Sequence, residues 1–360
     1  MAPYDLTAES EICRYLNDHH SAYGRVDRIE RLLEGFAGFV YRVHLNIDAL
    51  VADSKGGLHS IIVKHAEPYA ARAKQWEMDP NRMDFEYNAL QFYSTPTMHG
   101  DGSARSPKVL NYDQQHRVLI MEDAGTLPSV KGWFTSDVDV NSAAAVGSKL
   151  GNFLANLHNL TIDDIELKGK FNGNHTAKYL SGELYFGRLP VTAKKHGFDS
   201  AFIAEAAEAG RREVYESSEV LTHGDFWTGN ILVPSTSPQL LVLDLELSKP
   251  GTAAFDVGQM AAEMYCLAAF RDRGKGMAML EAFLKGYRER REREGGKVEA
   301  AKVAIRIGAH LLQIMPNAWG AEAGEERVKM EINVGVELIK MGWEKDGPKL
   351  RESVVRSLAE

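Results

Sequence analysis

Residues 221–256 read LTHGDFWTGNILVPSTSPQLLVLDLELSKPGTAAFD and carry the strongest chemical signal in this chain. Asp225 stands in a His-Gly-Asp triplet, and Asn230 follows five residues later. Asp244 comes after another 14 residues, between two leucines, and Glu246 is two places further on. This order suits phosphoryl transfer, in which one carboxylate takes the proton of an attacking hydroxyl. An amide and a second carboxylate then hold the magnesium ion that bridges the phosphates.

Each of these side chains also has an ordinary structural interpretation. Asp225 could be a turn residue, since Asp after Gly is common in turns. Asp244 could simply end a strand, but its apolar neighbours would leave a charge that needs a partner such as a metal ion. Taken together, the spacings favour Asp225 as the catalytic base, and Asn230 and Asp244 as oxygen ligands of Mg²⁺.

The same pattern resembles a known family. Protein kinases use His-Arg-Asp-x-x-x-x-Asn followed by Asp-Phe-Gly, whereas this chain has Gly224 in place of the arginine and Asp244-Leu245-Glu246 in place of Asp-Phe-Gly. HGDxxxxN followed by D-x-E is similar to the kinase-like small-molecule phosphotransferases, such as aminoglycoside phosphotransferases, choline kinases and methylthioribose kinases. The resemblance is closest to the fungal branch of methylthioribose-kinase-like enzymes that contains 4-hydroxytryptamine kinase. It covers nearly the whole chain through IIVKHAEP (61–68), LANLHNL (154–160), DFWTGNIL (225–232), LDLELSKPGTAAFDVG (243–258) and an AH…WG segment (309–320).

The resemblance implies an α+β, bilobal protein-kinase-like fold, with a β-rich N-lobe at 1–121, a hinge at 122–126 and a larger, mainly α C-lobe at 127–360. Hydrophobic periodicity points independently to a β-rich first part and a mainly helical second part. Strands are predicted at 40–45, 60–64, 117–121 and 239–245, with a turn at Gly56-Gly57. Helices are predicted at 82–93, 143–160, 201–219, 255–271, 276–294, 299–315 and 325–343, whereas 161–200 has an irregular pattern.

Lys64 ends the apolar strand Ile-Ile-Val-Lys. By itself it would be an ordinary strand-terminal lysine, but the motif resembles the Val-Ala-Ile-Lys of kinases, whose lysine contacts the α- and β-phosphates of ATP. Such a lysine needs an acidic partner on the following helix. Glu86 is the candidate, and Glu77 is a rival that precedes a break at Pro80.

Two further elements of a nucleotide site are expected. Gly35 and Gly38 lie between apolar runs and would let backbone amides approach phosphate oxygens, although a plain hairpin turn would have the same pattern. Met121, Glu122 and Asp123 follow the last N-lobe strand, where the resembling families offer backbone N–H and C=O groups to adenine. That role belongs to the main chain, so these side chains say little about it.

Residues 223–230, which contain the HGDxxxxN motif, are the expected catalytic loop. The pocket for the phosphoryl acceptor is expected between this catalytic loop and the α lobe. Trp227 could stack on a substrate ring, and Trp319 lies in a segment that closes the site in related enzymes. Glu322, Glu325 and Glu326 follow Trp319, and an aromatic wall beside carboxylates would suit a cationic amine. Both tryptophans could equally be core residues, and the glutamates a solvated helix start. Glu246 stands where the family's D-x-E glutamate stands, and it could bind a second Mg²⁺ or meet the substrate.

Three other polar residues have structural interpretations. His223 is expected to pack beneath the catalytic loop, and Asp256 to hydrogen-bond that loop from the next helix. His158 follows Leu157 on a helix and is typical of a satisfied core histidine. None of the three is assigned a catalytic role.

The composition limits the other possibilities. A chain of 360 residues, 44% hydrophobic and 26% charged, is typical of a globular protein with two lobes. Its formal net charge of -8 argues against nucleic acid and anionic lipid as partners. Cys13 and Cys266 fit neither a disulfide framework nor a zinc site. No secretory signal or apolar run of membrane-spanning length is recognisable, so we expect a cytoplasmic protein. For its oligomeric state we take a monomer as the default.

We therefore expect a small-molecule kinase that uses ATP and Mg²⁺ and transfers the γ-phosphate to a hydroxyl group of a small metabolite. An aminoglycoside, choline, methylthioribose, homoserine or hydroxytryptamine could each be the acceptor, and the resemblance favours an amine-bearing alcohol or phenol. The alternative is a catalytically inactive, nucleotide-binding pseudokinase that acts as a regulatory or interaction module. Such proteins usually lose the base or a metal ligand, whereas this chain keeps both.

Overall fold

The computed structural model describes residues 4–23, 25–33, 35–46, 59–100, 102–235 and 237–359. The turn predicted at Gly56-Gly57 lies outside these residues. The chain forms two compact units, one made of Met1–Ser94 and Ser106–Thr126 and the other of Thr95–Arg105 and Leu127–Glu360. The first contains an antiparallel sheet and the second is mostly helical, which is the kinase-like fold that the sequence predicts.

Strands dominate the chain up to residue 126. In order, the described elements are α1 (Glu9–His19), a 3₁₀ turn (Ser21–Tyr23), β1 (Arg25–Leu32), β2 (Phe39–Asn46), β3 (Ser60–His65), β4 (Tyr69–Ala70), β5 (Ala73–Glu77), α2 (Arg82–Tyr93), α3 (Pro96–His99), β6 (Ala104–Arg105), β7 (Val109–Asp113) and β8 (Val118–Glu122). Of these, α3 and β6 belong to the second unit.

The sheet of the first unit has the strand order β1-β2-β3-β8-β7, with each neighbouring pair antiparallel. Alternate residues of β2 from Phe39 to Leu45 are buried, because successive side chains of a strand point to opposite faces. Lys64 pairs with Val40 on one side and with Leu119 on the other. The middle strand of the sheet therefore fixes the position of this lysine.

Helices dominate the chain after residue 126. In order, the described elements are α4 (Val130–Trp133), α5 (Val140–Thr161), α6 (Ile165–Gly169), α7 (His175–Gly182), a π-helical segment (Glu183–Gly187), α8 (Leu189–Lys195), α9 (Ala201–Glu216), β9 (Val220–Thr222), β10 (Ile231–Leu232), β11 (Leu240–Val242), β12 (Lys249–Gly251), α10 (Ala253–Phe270), α11 (Arg273–Arg293), α12 (Ala300–Gln313), α13 (Met315–Ala318), α14 (Gly320–Ala323), α15 (Glu325–Trp343), α16 (Gly347–Glu352) and α17 (Arg356–Ala359).

The long helices predicted in the second unit are confirmed as α5, α9, α10, α11, α12 and α15. The irregular pattern expected at 161–200 is wrong, because α6, α7 and α8 form there. Side chains cap the first two of these short helices: Asp164 accepts a hydrogen bond from the Leu167 N–H and Asn174 accepts one from the Ala177 N–H. Within the described ranges, every helix is too short or too polar to cross a lipid bilayer.

Two small groups of paired strands in the second unit flank the loops that contain Asp225 and Asp244. β9 and β12 pair antiparallel, and β11 lies between β10 and β6. The predicted strand at 239–245 is too long, because β11 ends at Val242. Asp244 then has a φ of 62°, a left-handed conformation that cannot continue a strand.

Candidate active site

The backbone of the catalytic loop is held by one buried carboxylate. Asp256, at the start of α10, accepts hydrogen bonds from the N–H groups of His223 (2.8 Å) and Gly224 (3.0 Å). Gly224 has a φ of 86°, and a Cβ at this position would collide with the Leu247 carbonyl oxygen. Only glycine fits here, and the supporting role predicted for Asp256 is confirmed.

Asp256 is itself stabilised as an anion. Burial opposes its ionisation, but a hydrogen bond with His158, 3.3 Å from Nε2, and the nearby His223 and Lys249 hold its pKa below the ordinary value. The other ring nitrogen of His158 lies 2.8 Å from the Tyr287 hydroxyl. His158 is fully buried with both nitrogens engaged, so the prediction of a satisfied core histidine is confirmed.

The Asp225 carboxylate is half-buried and held from two sides. Asn230 Nδ2 donates to Asp225 Oδ2 and to the Asp225 carbonyl oxygen, both at 3.0 Å. Gln259 Nε2 donates to Oδ1 at 2.7 Å. Burial and the negative charges of Asp244 and Glu246 raise the pKa of Asp225 to about 7, against the opposing effect of the two hydrogen bonds. The side chain is therefore oriented, and it is a stronger base than an ordinary aspartate.

Asp244 and Glu246 lie in the turn that follows β11. A carboxylate oxygen of Asp244 is within 4.8 Å of one of Glu246. The Leu243 N–H donates to the Asn230 carbonyl oxygen at 2.9 Å, which joins this turn to the catalytic loop. The positive φ of Asp244 is costly for a residue with a side chain, and such conformations concentrate at functional sites.

The donor chemistry of this group fits a magnesium ion. Asn230 uses its amide nitrogen to bind Asp225, which leaves its amide oxygen as the possible ligand atom. Asp244 and Glu246 add carboxylate oxygens, and Mg²⁺ prefers oxygen ligands. The mutual repulsion that raises the pKa of Asp225 would also be relieved by a bound cation.

In the first unit, Lys64 and Glu86 form a buried ion pair. Lys64 Nζ lies 3.0 Å from Oε1 and 2.8 Å from Oε2 of Glu86, and the two residues are 6% and 3% exposed. Glu77, the rival partner, is exposed on β5. The acidic partner of Lys64 is thus Glu86, on helix α2 as expected.

The two glycines of the β1–β2 connection differ in their surroundings. A Cβ on Gly38 would lie 3.0 Å from Cε of Lys64, which is tighter than an ordinary contact. For a Cβ on Gly35, no atom of the described residues would lie within 4 Å. Glycine at position 38 therefore allows the connection to pack closely on Lys64, whereas space alone does not require glycine at position 35.

The side chain of Asp123 has a structural task at the end of β8. It accepts hydrogen bonds from Arg42 Nε (2.8 Å), the Ser60 hydroxyl (2.7 Å) and the Gly125 N–H (2.9 Å). Burial opposes ionisation, but these bonds lower the pKa of Asp123. A nucleotide contact in this segment would have to come from the main chain.

The main chain before Asp123 is partly occupied as well. Met121 and Glu122 continue the pairing with β3, opposite Ile62 and Ile61. The Glu122 N–H donates to the Lys108 carbonyl oxygen at 2.8 Å, so this donor is not available to a ligand. The Glu122 carboxylate accepts from the Lys108 N–H at 3.1 Å.

The two tryptophans predicted for the acceptor pocket lie in different environments. Trp227 is half-buried, and its ring packs directly against Gly229, where a Cβ would collide with it. Trp319 is only 4% exposed. Lys131 Nζ lies 3.8 Å from the centroid of the Trp319 rings, and Phe270 stacks on it at 5.9 Å. Trp227 is therefore the more accessible of the two.

Glu263 connects Trp319 to the catalytic loop. Its Oε1 lies 2.9 Å from His310 Nε2 and accepts from Trp319 Nε1 at 3.3 Å, while its Oε2 accepts from the Thr228 hydroxyl at 3.2 Å. Burial opposes ionisation, but the hydrogen bond with His310 and the nearby Lys131 lower the pKa of Glu263. A second buried anion therefore lies beside the loop.

Sequence reasoning missed Gln259 and Glu263, although a signal was present. Asp256, Gln259 and Glu263 occur at positions i, i+3 and i+7 of the otherwise largely apolar helix α10. Residues at this spacing share one helical face. Three polar side chains on a single face of a buried helix indicate a polar cluster beneath it.

Comparison with known proteins agrees with this geometry. The profile of the phosphotransferase enzyme family matches residues 47–297. The 4-hydroxytryptamine kinase of Psilocybe cubensis is 31% identical in a 340-residue alignment that covers 90% of each chain. The kinase of the same name from Psilocybe cyanescens is 32% identical in a 343-residue alignment that covers 91% of each chain. A solved structure described as a candidate aminoglycoside phosphotransferase from Ralstonia eutropha shares the fold at a TM-score of 0.50 and 15% identity, over 95% of this chain and 98% of that one. The resemblance found in the sequence is thus confirmed, and the chain belongs to the phosphotransferase enzyme family.

Proposed function

We propose that this phosphotransferase is an ATP- and Mg²⁺-dependent kinase that phosphorylates a hydroxyl group of a small, amine-bearing metabolite, with Asp225 as the base. One observation carries the proposal: the Asp225 carboxylate is held by Asn230 and Gln259, and its burial and the nearby Asp244 and Glu246 carboxylates raise its pKa to about 7. The family implies ATP and usually a divalent metal ion as cofactors.

Asp225 would receive the proton of the acceptor hydroxyl while the acceptor oxygen forms a bond to the γ-phosphorus and the bond from that phosphorus to ADP breaks. Its two hydrogen bonds restrict rotation of the carboxylate, so the proton acceptor is already oriented before substrate arrives. Asn230, Asp244 and Glu246 would hold magnesium, which when bound neutralises phosphate charge. Lys64, kept in place by Glu86, would pair with phosphate oxygens.

An amine-bearing acceptor fits the electrostatics of the second unit. Asp225, Asp244, Glu246 and Glu263 lie on or beside the catalytic loop, and the lowered pKa of Glu263 keeps that carboxylate charged at neutral pH. A cationic ammonium group is attracted to such a concentration of negative charge. The half-buried ring of Trp227 would add an aromatic surface for it. The relatives named 4-hydroxytryptamine kinase support the same class of acceptor.

The test is ADP release with MgATP and a panel of 4-hydroxytryptamine, choline, methylthioribose and an aminoglycoside. Asp225→Asn and Asp244→Asn should each reduce kcat by about 10²-fold or more, since general-base catalysis typically contributes 10²–10⁴-fold. Asp199→Asn is the matched control, because this exposed aspartate pairs only with the exposed Lys194 in the described contacts. Undiminished turnover in both active-site variants would refute the assignment. Stabilisation by MgATP with no turnover of any hydroxylated acceptor would indicate the nucleotide-binding pseudokinase instead.

A further inference from the structure

A cavity of about 660 Å³ lies within the second unit. It is enclosed by α9, the β9–β12 pair, the first turn of α10, α12 and the end of α15. Its described lining residues do not include Asp225, Asn230 or Asp244. The cavity is therefore separate from the candidate active site, although β9 leads directly into the catalytic loop.

Two buried cations form part of the cavity wall. Lys249 is 1% exposed and Arg306 is 3% exposed. Among the residues that the structure describes, Lys249 Nζ has no hydrogen-bond partner. The guanidinium group of Arg306 interacts with the Tyr185 hydroxyl but forms no hydrogen bond to a described carboxylate. Buried charges are normally paired, because taking an ion out of water without a counter-ion is unfavourable.

Aromatic rings hold both cations in place but do not neutralise them. Lys249 Nζ lies 4.3 Å and Arg306 Cζ 4.0 Å from the centroid of Phe255, so the two charges are no more than about 8 Å apart. Arg306 Cζ is also 3.0 Å from the centroid of Tyr185. Cation–π contacts of this kind offset part of the desolvation cost but do not supply a counter-ion.

The acidic groups around the cavity are engaged elsewhere or exposed. Lys302 pairs with Glu213 at 2.6 Å and with Glu299 at 3.1 Å. Glu216 is exposed. The charges of Asp256 and Asp225 reach both Lys249 and Arg306 through space. Asp256 already accepts the two N–H groups of the catalytic loop, and Asp225 accepts from Asn230 and Gln259. The cavity wall thus has two buried basic side chains, and no carboxylate in the described part of the chain forms an ion pair with either of them at contact distance.

We propose that this cavity is a binding site for a small organic anion, a phosphate monoester or a carboxylate, whose charged group is neutralised by Lys249 and Arg306. The rest of the cavity wall includes apolar side chains, namely Phe186, Val214, Phe255, Ile305 and Trp343. The part of the ligand that carries no charge should therefore be apolar. A cavity of about 660 Å³ accommodates an anionic group attached to one or two rings. The ligand class is therefore an amphiphilic anion with a flat apolar body.

The test uses phenyl phosphate, benzoate and inorganic phosphate as probes, with phenol as the uncharged control. Binding is measured by calorimetry on the full chain in saturating MgADP, so that phosphate probes cannot occupy the nucleotide site. Phenyl phosphate or benzoate should bind saturably and more tightly than inorganic phosphate, and phenol should not bind. Comparison of phenyl phosphate with benzoate decides between the two anionic groups.

Two variants locate the binding. Lys249→Met and Arg306→Met keep the side-chain length and remove the charge, and each should weaken binding by about tenfold or more, the usual cost of one charge-assisted hydrogen bond. Lys285→Met, at an exposed lysine of α11, should bind as the unmodified chain does. Unchanged affinity in both charge-removing variants, or no saturable binding of any probe, would overturn the proposal.

Hydrogen–deuterium exchange on the unmodified chain makes the result independent of whether the variants fold. Phenyl phosphate or benzoate should slow exchange in the segment that contains Lys249 and Phe255 and in the first turns of α12. Protection confined to other segments would contradict the assigned position. All these measurements report binding rather than turnover, so their outcome is distinguishable from failure of the proposed kinase activity.

Discussion

Gln259 donates a 2.7 Å hydrogen bond to Oδ1 of Asp225, while Asn230 binds the opposite carboxylate oxygen. Gln259 lies on α10, one turn after Asp256, which holds the backbone of the same loop. One helix therefore fixes both the main chain and the side chain of the proposed base. This makes Gln259 a positioning residue whose removal should leave the fold intact and alter the chemistry.

Gln259→Met should reduce kcat by about 10- to 100-fold, because a hydrogen bond to a charged group contributes about 1.5–3 kcal/mol. The KM for ATP should not change. In the unmodified chain, the hydrogen bond from Gln259 lowers the pKa of Asp225. Its loss should raise that pKa, and the acidic limb of the kcat/KM profile should therefore move to higher pH. Steady-state kinetics across pH test this, with the exposed Gln75→Met as control. A reduced kcat with an unmoved pH profile would show that Gln259 does not act through Asp225.

Variants of the Lys64–Glu86 pair distinguish a structural role of Lys64 from a role in phosphate binding. Removing one partner of a buried ion pair leaves an uncompensated charge, so Lys64→Met and Glu86→Leu should each lower the free energy of unfolding by about 3–5 kcal/mol. The double variant Lys64→Met/Glu86→Leu should regain most of that stability. Its turnover should stay low, because the phosphate contact assigned to Lys64 is still missing.

Urea unfolding and ADP release measure the two effects on the same samples. Glu77→Leu, at the exposed rival position on β5, is the control for the loss of one carboxylate. Recovery of activity together with stability in the double variant would mean that Lys64 has only a structural role.

The contact between Asp225 and Asn230 could be predicted from sequence, because the HGDxxxxN pattern sets their spacing. The left-handed backbone of Asp244 could not, since its neighbours are apolar on both sides and resemble a continuing strand. The sequence offers Glu77 and Glu86 as partners of Lys64, and only the three-dimensional positions of β5 and α2 decide between them.

Pairing between strands that are far apart in the sequence also cannot be predicted from local sequence patterns. Thr95–Arg105 is flanked by the first unit on both sides, yet it belongs to the second. The reason is that β6 pairs parallel with β11, more than one hundred residues later in the chain. By contrast, the predicted and observed limits of the long helices after residue 250 nearly coincide. α12 and α15 have an amphipathic 3.6-residue period, whereas α10 is recognisable as a continuous, largely apolar run.

The acid sensitivity of the fold should depend on His158 and His223. Burial lowers the pKa of both histidines, although Asp256 opposes this shift. Their pKa in the unfolded chain is about 6.5, so the unfolded state binds more protons below that pH. The stability that they contribute is therefore complete above about pH 6.5 and is lost as the pH falls.

Urea unfolding at pH 7.5 and 5.5 in the presence of a chelator measures this loss. A single group of this kind changes the free energy of unfolding by up to about 1.4 kcal/mol per pH unit. His158→Gln should therefore show a smaller decrease between the two pH values than the unmodified chain. His175→Gln, at an exposed position on α7, serves as control. Equal decreases in all three proteins would show that His158 is not buried in its neutral form.

Lys249→Met should stabilise the protein when no ligand is present. Replacing buried charged groups by well-packed apolar side chains of similar volume often stabilises a protein by about 1–4 kcal/mol. Lys249 Nζ also has no hydrogen bond to lose among the described residues. Burial lowers the pKa of Lys249 to about 7, against about 10.4 in an unfolded chain. Between these pH values the unfolded state binds the extra proton, so the stability of the unmodified chain rises with pH.

The advantage of the variant should therefore be largest near pH 7 and should shrink toward pH 10. Denaturant unfolding at pH 7 and 9, with Lys285→Met as control, measures the difference. A variant less stable than the unmodified chain at pH 7 would mean that the ammonium group makes a stabilising contact within the fold. A more stable variant would instead show that Lys249 is retained at a cost to the fold, which is expected of a residue that binds an anionic ligand.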